Sequence, residues 1–203
     1  MICRRHIVPA LMEIVHKMRR TDINYTDAEW RYIATHEAGH AAVCEILNPG
    51  HTALISILSQ GDSVAGKTAY ASWGYSTEQE LVDLVTVSLA GKAAVEVLLG
   101  EMDVGSAQDI QSAVKLLTMW YVDCAGGGFS AVENEDKRTS ESGLQGQERL
   151  IAIKLEELYQ RAKRIVFDNR ELVSALSDAM LQDDTGTLLS SDIAKIRNSL
   201  DHG

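Results

Sequence analysis

The sequence predicts a mainly α-helical domain with a small β-sheet or hairpin. Only two prolines interrupt its 203 residues, which favours long helices over an all-β architecture. Most apolar residues recur at the three- and four-residue spacing of amphipathic helices, whereas only two short neighbouring stretches are rich in β-branched residues. With 45% hydrophobic and 24% charged residues, the composition excludes a disordered chain.

The first 25 residues form a basic segment with a short apolar stretch. Glu13 and His16 interrupt that stretch, and no small-residue cleavage site follows, so neither a signal peptide nor a membrane-spanning helix is predicted. We expect residues 1–25 to be an N-terminal helical extension of a cytoplasmic protein, and residues 26–203 to be the main domain.

The next elements are a helix and a β-hairpin. Thr26 and Glu29 have the spacing of a capping box, which predicts a helix from there to about residue 47, where Asn48-Pro49-Gly50 ends it. Two extended stretches follow, at 52–58 and at about 67–73, with a turn near residues 60–62.

The rest of the chain is predicted to be helical. Gly100 is placed as a C-terminal cap of the first of these helices, and the polar residues 130–147 are predicted to form a loop. The predicted helices span residues 77–99, 106–121, 147–167, 170–182 and 191–200.

Charge and cysteine content restrict the function. Lysine and arginine number 19 against 29 acidic residues, a net charge of −10, which disfavours nucleic acid and anionic lipid as partners. The three cysteines are widely scattered and indicate neither a disulfide framework nor a cysteine-based zinc site. Any metal chemistry must therefore depend on histidines and carboxylates.

The segment His36-Glu37-Ala38-Gly39-His40 is an H-E-x-x-H motif inside a predicted helix. A spacing of four places both imidazoles on one helix face, as two ligands of a tetrahedral zinc require. Glu37 is close enough to accept a proton from a metal-activated water without being a ligand itself. Gly39 costs about 1 kcal/mol relative to alanine in mid-helix, which suggests close approach of a neighbouring element.

A catalytic zinc site needs a third protein ligand, and the sequence leaves several carboxylates open. The candidates are Glu96, Glu101, Asp103 and Asp109. Asp109 also has a purely structural interpretation, because Ser106 to Asp109 has the spacing of a helix cap.

Three blocks of the sequence are informative together: ATHEAGHA at 34–41, LAGKAAVE at 89–96 and VGSAQDI at 104–110. They resemble the peptidase domain of the FtsH family of ATP-dependent zinc proteases, and the resemblance covers about residues 26–200. The resemblance implies a helical zinc-peptidase fold, with His36, His40 and Asp109 binding one Zn²⁺ and Glu37 acting as general base. It further implies cleavage of unfolded or flexible protein segments, and a possible homohexamer.

Members of this family carry membrane helices and an ATPase module ahead of the peptidase, and only about 25 residues precede the capping box here. We therefore expect a peptidase domain without those segments, acting alone or with a separate ATPase.

Two alternatives remain at the level of sequence. One is a non-catalytic relative that serves as an assembly or adaptor subunit. The other is a nucleotide-binding P-loop, because residues 61–68 match G-x-x-x-x-G-K-T with Gly61, Gly66, Lys67 and Thr68. A P-loop requires a helix to begin at its Lys-Thr end, whereas the sequence that follows is strand-like.

Overall fold

The computed structural model describes residues 3–16, 25–60, 64–71, 77–103, 105–124, 126 and 141–201. Within them, helices surround one small sheet, which confirms the predicted fold class. The elements are α1 (Arg4–His16), α2 (Asp27–Leu47), β1 (Thr52–Gln60), β2 (Val64–Tyr70), α3 (Glu78–Ser88), α4 (Ala90–Ala94) with a π-helical turn (Val95–Leu99), α5 (Ala107–Thr118) with a second π-helical turn (Met119–Asp123), α6 (Glu141–Asp168), α7 (Arg170–Gln182), β3 (Thr187–Leu189) and α8 (Ser190–Asp201).

Helix α2 lies at the centre of the fold, against α7, α4 and β1. The predicted capping box is present at its start: the Thr26 side chain accepts from the Glu29 amide, and the Glu29 carboxylate accepts from the Thr26 amide at 2.7 Å. Small residues let the neighbouring helices approach closely. A β-carbon at Gly39 would lie 2.4 Å from Cβ of Ala94 in α4, so the suggested close approach at this glycine is confirmed.

The sheet has the strand order β2-β1-β3, and both pairs are antiparallel. Ile55 of β1 pairs with Thr68 of β2 on one side and with Leu188 of β3 on the other. The hairpin was predicted, although β2 begins and ends three residues earlier than expected; residues 61–63 and 72–76 lie outside the described part. Strand β3 was not predicted, because three residues are too few to show a periodicity.

Helix α1, expected from the basic N-terminal segment, is present and covers one face of the sheet. Its Val8 and Met12 pack against Leu54 and Leu58 of β1 in a small apolar cluster. The division of the chain at residue 26 remains a prediction. In the portion of the chain that the structure describes, no helix is both long and apolar enough to cross a bilayer.

The predicted continuous helix over 77–99 is wrong in one respect. The helix breaks at Leu89, and after α4 it widens into the π-helical turn before Gly100 ends it with φ +70°, as the predicted cap requires. Val87, next to the break, offers its carbonyl to a side chain of α2. This contact is tertiary, and the apolar spacing of the segment does not indicate it.

The C-terminal helices follow the prediction closely, with one correction. Helix α6 begins at Glu141 rather than near residue 147, so the predicted loop is wrong at its end, and residues 127–140 lie outside the described part. Glutamate, glutamine and serine tolerate helical conformation, so polarity alone did not distinguish the first turns of α6 from a loop.

We predict that Gly39→Ala destabilises the fold, although alanine is the better helix former by about 1 kcal/mol. The added β-carbon would lie 2.7 Å from the Ala90 carbonyl oxygen as well as against Ala94. Overpacking of this kind typically costs about 1–3 kcal/mol, which exceeds the gain in propensity. The free energy of unfolding in urea measures the result.

The matched control is Gly146→Ala in α6, where a β-carbon meets no other atom within 4 Å. This variant should be stabilised by about 0.5–1 kcal/mol. Equal stabilisation by both substitutions would contradict the close packing of α2 on α4.

Candidate metal centre

Three side chains from two helices converge beside strand β2. His36 and His40 lie one turn apart on α2, and Asp109 lies in the first turn of α5. The two Nε2 atoms are 3.0 Å apart, and Oδ2 of Asp109 is 3.2 Å from Nε2 of His36 and 3.4 Å from Nε2 of His40. The three ligand atoms thus form a nearly equilateral triangle.

This triangle has the size that a zinc ion requires. Bonds of about 2.0–2.1 Å at tetrahedral angles separate the ligand atoms by about 3.3–3.4 Å. Side-chain exposure is 12% for His36 and 6% for His40, but 33% for Asp109, so the site opens on the aspartate side. Three protein ligands and an open fourth side are the arrangement of a catalytic rather than a structural zinc site.

The orientation of each imidazole is set by a hydrogen bond at its other nitrogen. Nδ1 of His40 lies 2.7 Å from the Val87 carbonyl oxygen and must donate, because a carbonyl only accepts. Nδ1 of His36 lies 2.7 Å from Oδ2 of Asp103 and donates to it. In the neutral tautomers both Nε2 atoms therefore carry lone pairs that face Asp109, and a metal cation satisfies all three acceptors.

The charges around the site favour a cation at its centre. Burial alone would lower the pKa of His36, but its hydrogen bonds to Asp103 and Asp109 raise that pKa to about 10. Burial would likewise raise the pKa of Asp109, yet its hydrogen bonds to His36 and His40 hold the pKa well below its usual range. The carboxylates thus stabilise positive charge between the imidazoles, as a proton or as a divalent metal.

Glu37 lies beside the triangle and is held by the sheet. Its Oε2 accepts a hydrogen bond of 2.7 Å from the Thr68 hydroxyl of β2. Burial raises the pKa of Glu37, and the neighbouring His36 and His40 oppose that shift. A buried carboxylate with a raised pKa, close to the ligands but not among them, suits a group that accepts and returns a proton.

Two glycines leave room for these side chains. A β-carbon at Gly91 would lie 2.5 Å from Nε2 of His40 and 2.7 Å from Nε2 of His36. A β-carbon at Gly66 would lie 2.4 Å from Oε1 of Glu37, and its φ of +86° also favours glycine. The sequence does not reveal that these two glycines make room for the site, because this role depends on contacts between elements that are distant in the chain.

The structure also distinguishes among the four carboxylates that the sequence offers as candidates for the third ligand. Of these, Asp109 alone lies with both ligand nitrogens; Glu96 instead accepts from Lys163 at 2.6 Å and from the Tyr159 hydroxyl, and Glu101 is exposed. Asp103 lies near the site, but on the Nδ1 side of His36.

The helix-cap interpretation of Ser106 and Asp109 is wrong. The Ser106 side chain makes no capping hydrogen bond to α5; its hydroxyl donates to the Asp103 carbonyl at 3.2 Å instead. This leaves the Asp109 carboxylate available to the two imidazoles.

A cleft of about 720 Å³ opens onto the three ligands and Glu37, with β2 as one wall. Tyr70 of β2 lines it, whereas Trp73, the next aromatic residue of this stretch, lies outside the described part. The nucleotide-binding alternative required a helix to begin at Lys67 and Thr68. Both residues lie within β2, and the Thr68 hydroxyl is bonded to Glu37, so that requirement is not met.

Known proteins resemble this chain over most of its length. The model of peptidase family M41 matches residues 24–196. The ATP-dependent zinc metalloprotease FtsH 2 of Phytoplasma mali is 25% identical over 205 residues, covering 98% of this chain and 30% of its own length. FtsH 1 of Sorangium cellulosum is 28% identical over 186 residues, covering 83% of this chain and 30% of the relative.

A third relative has a higher sequence identity over a shorter stretch. FtsH of Methylococcus capsulatus is 36% identical over 94 residues, covering 44% of this chain and 15% of the relative. The chain therefore spans less than a third of the length of these three relatives.

We predict that Gly91→Ala weakens zinc binding by roughly tenfold or more, the usual cost of disturbing the orientation of a ligand. The added methyl group would displace both imidazoles from the positions at which their Nε2 atoms face Asp109. Competition with a chromogenic chelator measures the affinity, and Gly146→Ala serves as the control that leaves it unchanged. Zinc affinity equal to that of the unmodified chain would show that the site does not need this glycine.

Proposed function

Because the chain belongs to peptidase family M41, we propose that it is a zinc-dependent endopeptidase that cleaves unfolded or flexible protein segments. The observation that carries this proposal is the triangle of Nε2 of His36, Nε2 of His40 and Oδ2 of Asp109, with edges of 3.0–3.4 Å. We assign these three residues as the ligands of one Zn²⁺ ion and Glu37 as the general base.

The chemistry follows from the placement of Glu37. A zinc ion held by His36, His40 and Asp109 would activate water for attack on a peptide carbonyl. Glu37 is the residue placed to accept a proton on its carboxylate and to return it to the departing amine. The Thr68 hydroxyl holds the carboxylate in place at 2.7 Å, and burial raises the pKa of Glu37, which favours uptake of the proton.

The substrate site follows from the position of β2 at the edge of the sheet and on the wall of the cleft. An extended peptide that pairs with this edge places its backbone beside the ligands. Main-chain hydrogen bonds supply the affinity in such complexes and make few demands on sequence. We therefore propose that the substrate must be unfolded locally, while its sequence is read only weakly.

Partners and location remain proposals from the family resemblance. The relatives are named as ATP-dependent, and we propose that a separate ATPase delivers substrates to this domain, which assembles as a homohexamer in the cytoplasm. Neither nucleic acid nor a membrane enters this proposal, in line with the net charge of −10.

We predict one zinc ion per chain, and loss of that zinc in both His36→Ala and Asp109→Ala, because each removes one of three ligands. Elemental analysis of the purified protein measures the content. Glu96→Gln is the matched control, since Glu96 was a candidate ligand and is bonded to Lys163 and Tyr159 instead. Full zinc in Asp109→Ala together with loss in Glu96→Gln would reverse the assignment.

We predict that Glu37→Gln keeps its zinc but loses cleavage of casein by about 10²–10⁴-fold, the usual contribution of a general base. Thr68→Val should retain part of the activity, because it loosens the carboxylate without removing it. Undiminished cleavage by Glu37→Gln would rule out the assigned base. A zinc-loaded wild-type chain that cleaves no unfolded substrate would instead support the non-catalytic adaptor.

A further inference from the structure

We propose that Asp103 is a positioning residue for the metal centre: its carboxylate fixes His36 and ties the segment that carries Asp109 to helix α2. This inference rests on the proposed zinc site. The sequence placed Asp103 only among the possible third ligands. In the structure, Asp103 contacts Nδ1 of His36, on the opposite side of the imidazole ring from the Nε2 atom that faces Asp109.

The carboxylate of Asp103 is buried and fully used. Its Oδ2 accepts from Nδ1 of His36 at 2.7 Å. Its Oδ1 accepts from the Gly105 amide at 2.7 Å and from the Tyr32 hydroxyl. The side chain is completely shielded from solvent. Three donors on two oxygens leave the carboxylate little freedom to turn, so the direction of the His36 ring is fixed as well.

The two ligand histidines are consequently not equivalent. His40 donates to a neutral backbone carbonyl, that of Val87, whereas His36 donates to an ionised carboxylate. Hydrogen bonds to a charged acceptor are roughly twice as strong as those between neutral groups, and they increase the basicity of a ligand imidazole. Asp103 also adds negative charge next to the cation without occupying a coordination position.

The same carboxylate links two parts of the chain. Tyr32 and His36 lie four residues apart on α2, on one face, and Asp103 bonds to both. Asp103 belongs to the segment between Gly100 and α5, and Asp109 is in the first turn of that helix. The bridge therefore holds the start of α5 at the distance from α2 that brings Asp109 to both imidazoles.

The test compares zinc affinity, by chelator competition, with the absorption spectrum of the cobalt-substituted chain. Asp103→Asn removes the charge but keeps the size of the side chain, and we expect zinc to bind roughly 10–100-fold more weakly. The cobalt bands should keep their position and intensity, because the ligand atoms are unchanged. Asp109→Asn should alter the bands, because it changes the ligand set.

Two further variants separate positioning from general stability. Glu96→Gln is the matched control, since Glu96 also accepts from a tyrosine hydroxyl but bonds to neither imidazole and is not one of the three grouped side chains; its zinc affinity should equal that of the wild type. Tyr32→Phe keeps the charge of Asp103 and removes one donor. We expect a loss of roughly two- to tenfold, because one of the three donors that hold Asp103 is removed while its charge is kept.

Several results would overturn the assignment of Asp103. They are wild-type zinc affinity in Asp103→Asn, cobalt bands altered in the same way as by Asp109→Asn, or an equal loss of affinity in Glu96→Gln. If Asp103→Asn does not fold, unchanged affinity in Tyr32→Phe contradicts it. A wild-type chain that binds no zinc would refute the proposed function itself, which is a different result from a zinc-binding chain indifferent to Asp103.

Discussion

The convergence of three lone-pair-bearing atoms on one point is the constraint on which the rest of the site depends. Two imidazole nitrogens and a carboxylate oxygen lie 3.0–3.4 Å from one another, with a hydrogen-bond acceptor fixed behind each imidazole ring. Such a cluster is stable only with positive charge at its centre. The carboxylates of Asp103 and Asp109 make that charge favourable, and the geometry suits a tetrahedral divalent metal.

Close backbone packing makes this convergence possible. Gly39 lets α4 approach α2, and Gly91 of α4 then passes directly against both ligand nitrogens. Gly66 does the same for β2 against Glu37. The separations of α2, α4 and β2 at the site therefore depend on the lack of a side chain at these three glycines. The glycine in the middle of α2 is explained in this way: Gly39 allows the close packing of α4 that also places Gly91 against the two imidazoles.

The sequence predicted those parts of the fold and site that depend on local spacing. The capping box defined the start of α2, and the four-residue interval placed His36 and His40 on one face. Contacts between distant elements could not be predicted in this way. The break at Leu89, the Val87 carbonyl behind His40 and the three-residue strand β3 have no periodic signal. The acidic candidates were found as residue types, but spacing did not distinguish Asp109 from Asp103. Only the tertiary structure shows that Asp109 approaches Nε2 of both histidines, whereas Asp103 approaches Nδ1 of His36.

The most direct test of the account is an anomalous difference map at the zinc absorption edge from crystals of the zinc-loaded chain. The account predicts one peak per chain, about 2.0–2.2 Å from Nε2 of both histidines and from a carboxylate oxygen of Asp109. A peak at any other set of side chains, or one in which Glu37 or Glu96 replaces Asp109, would contradict it.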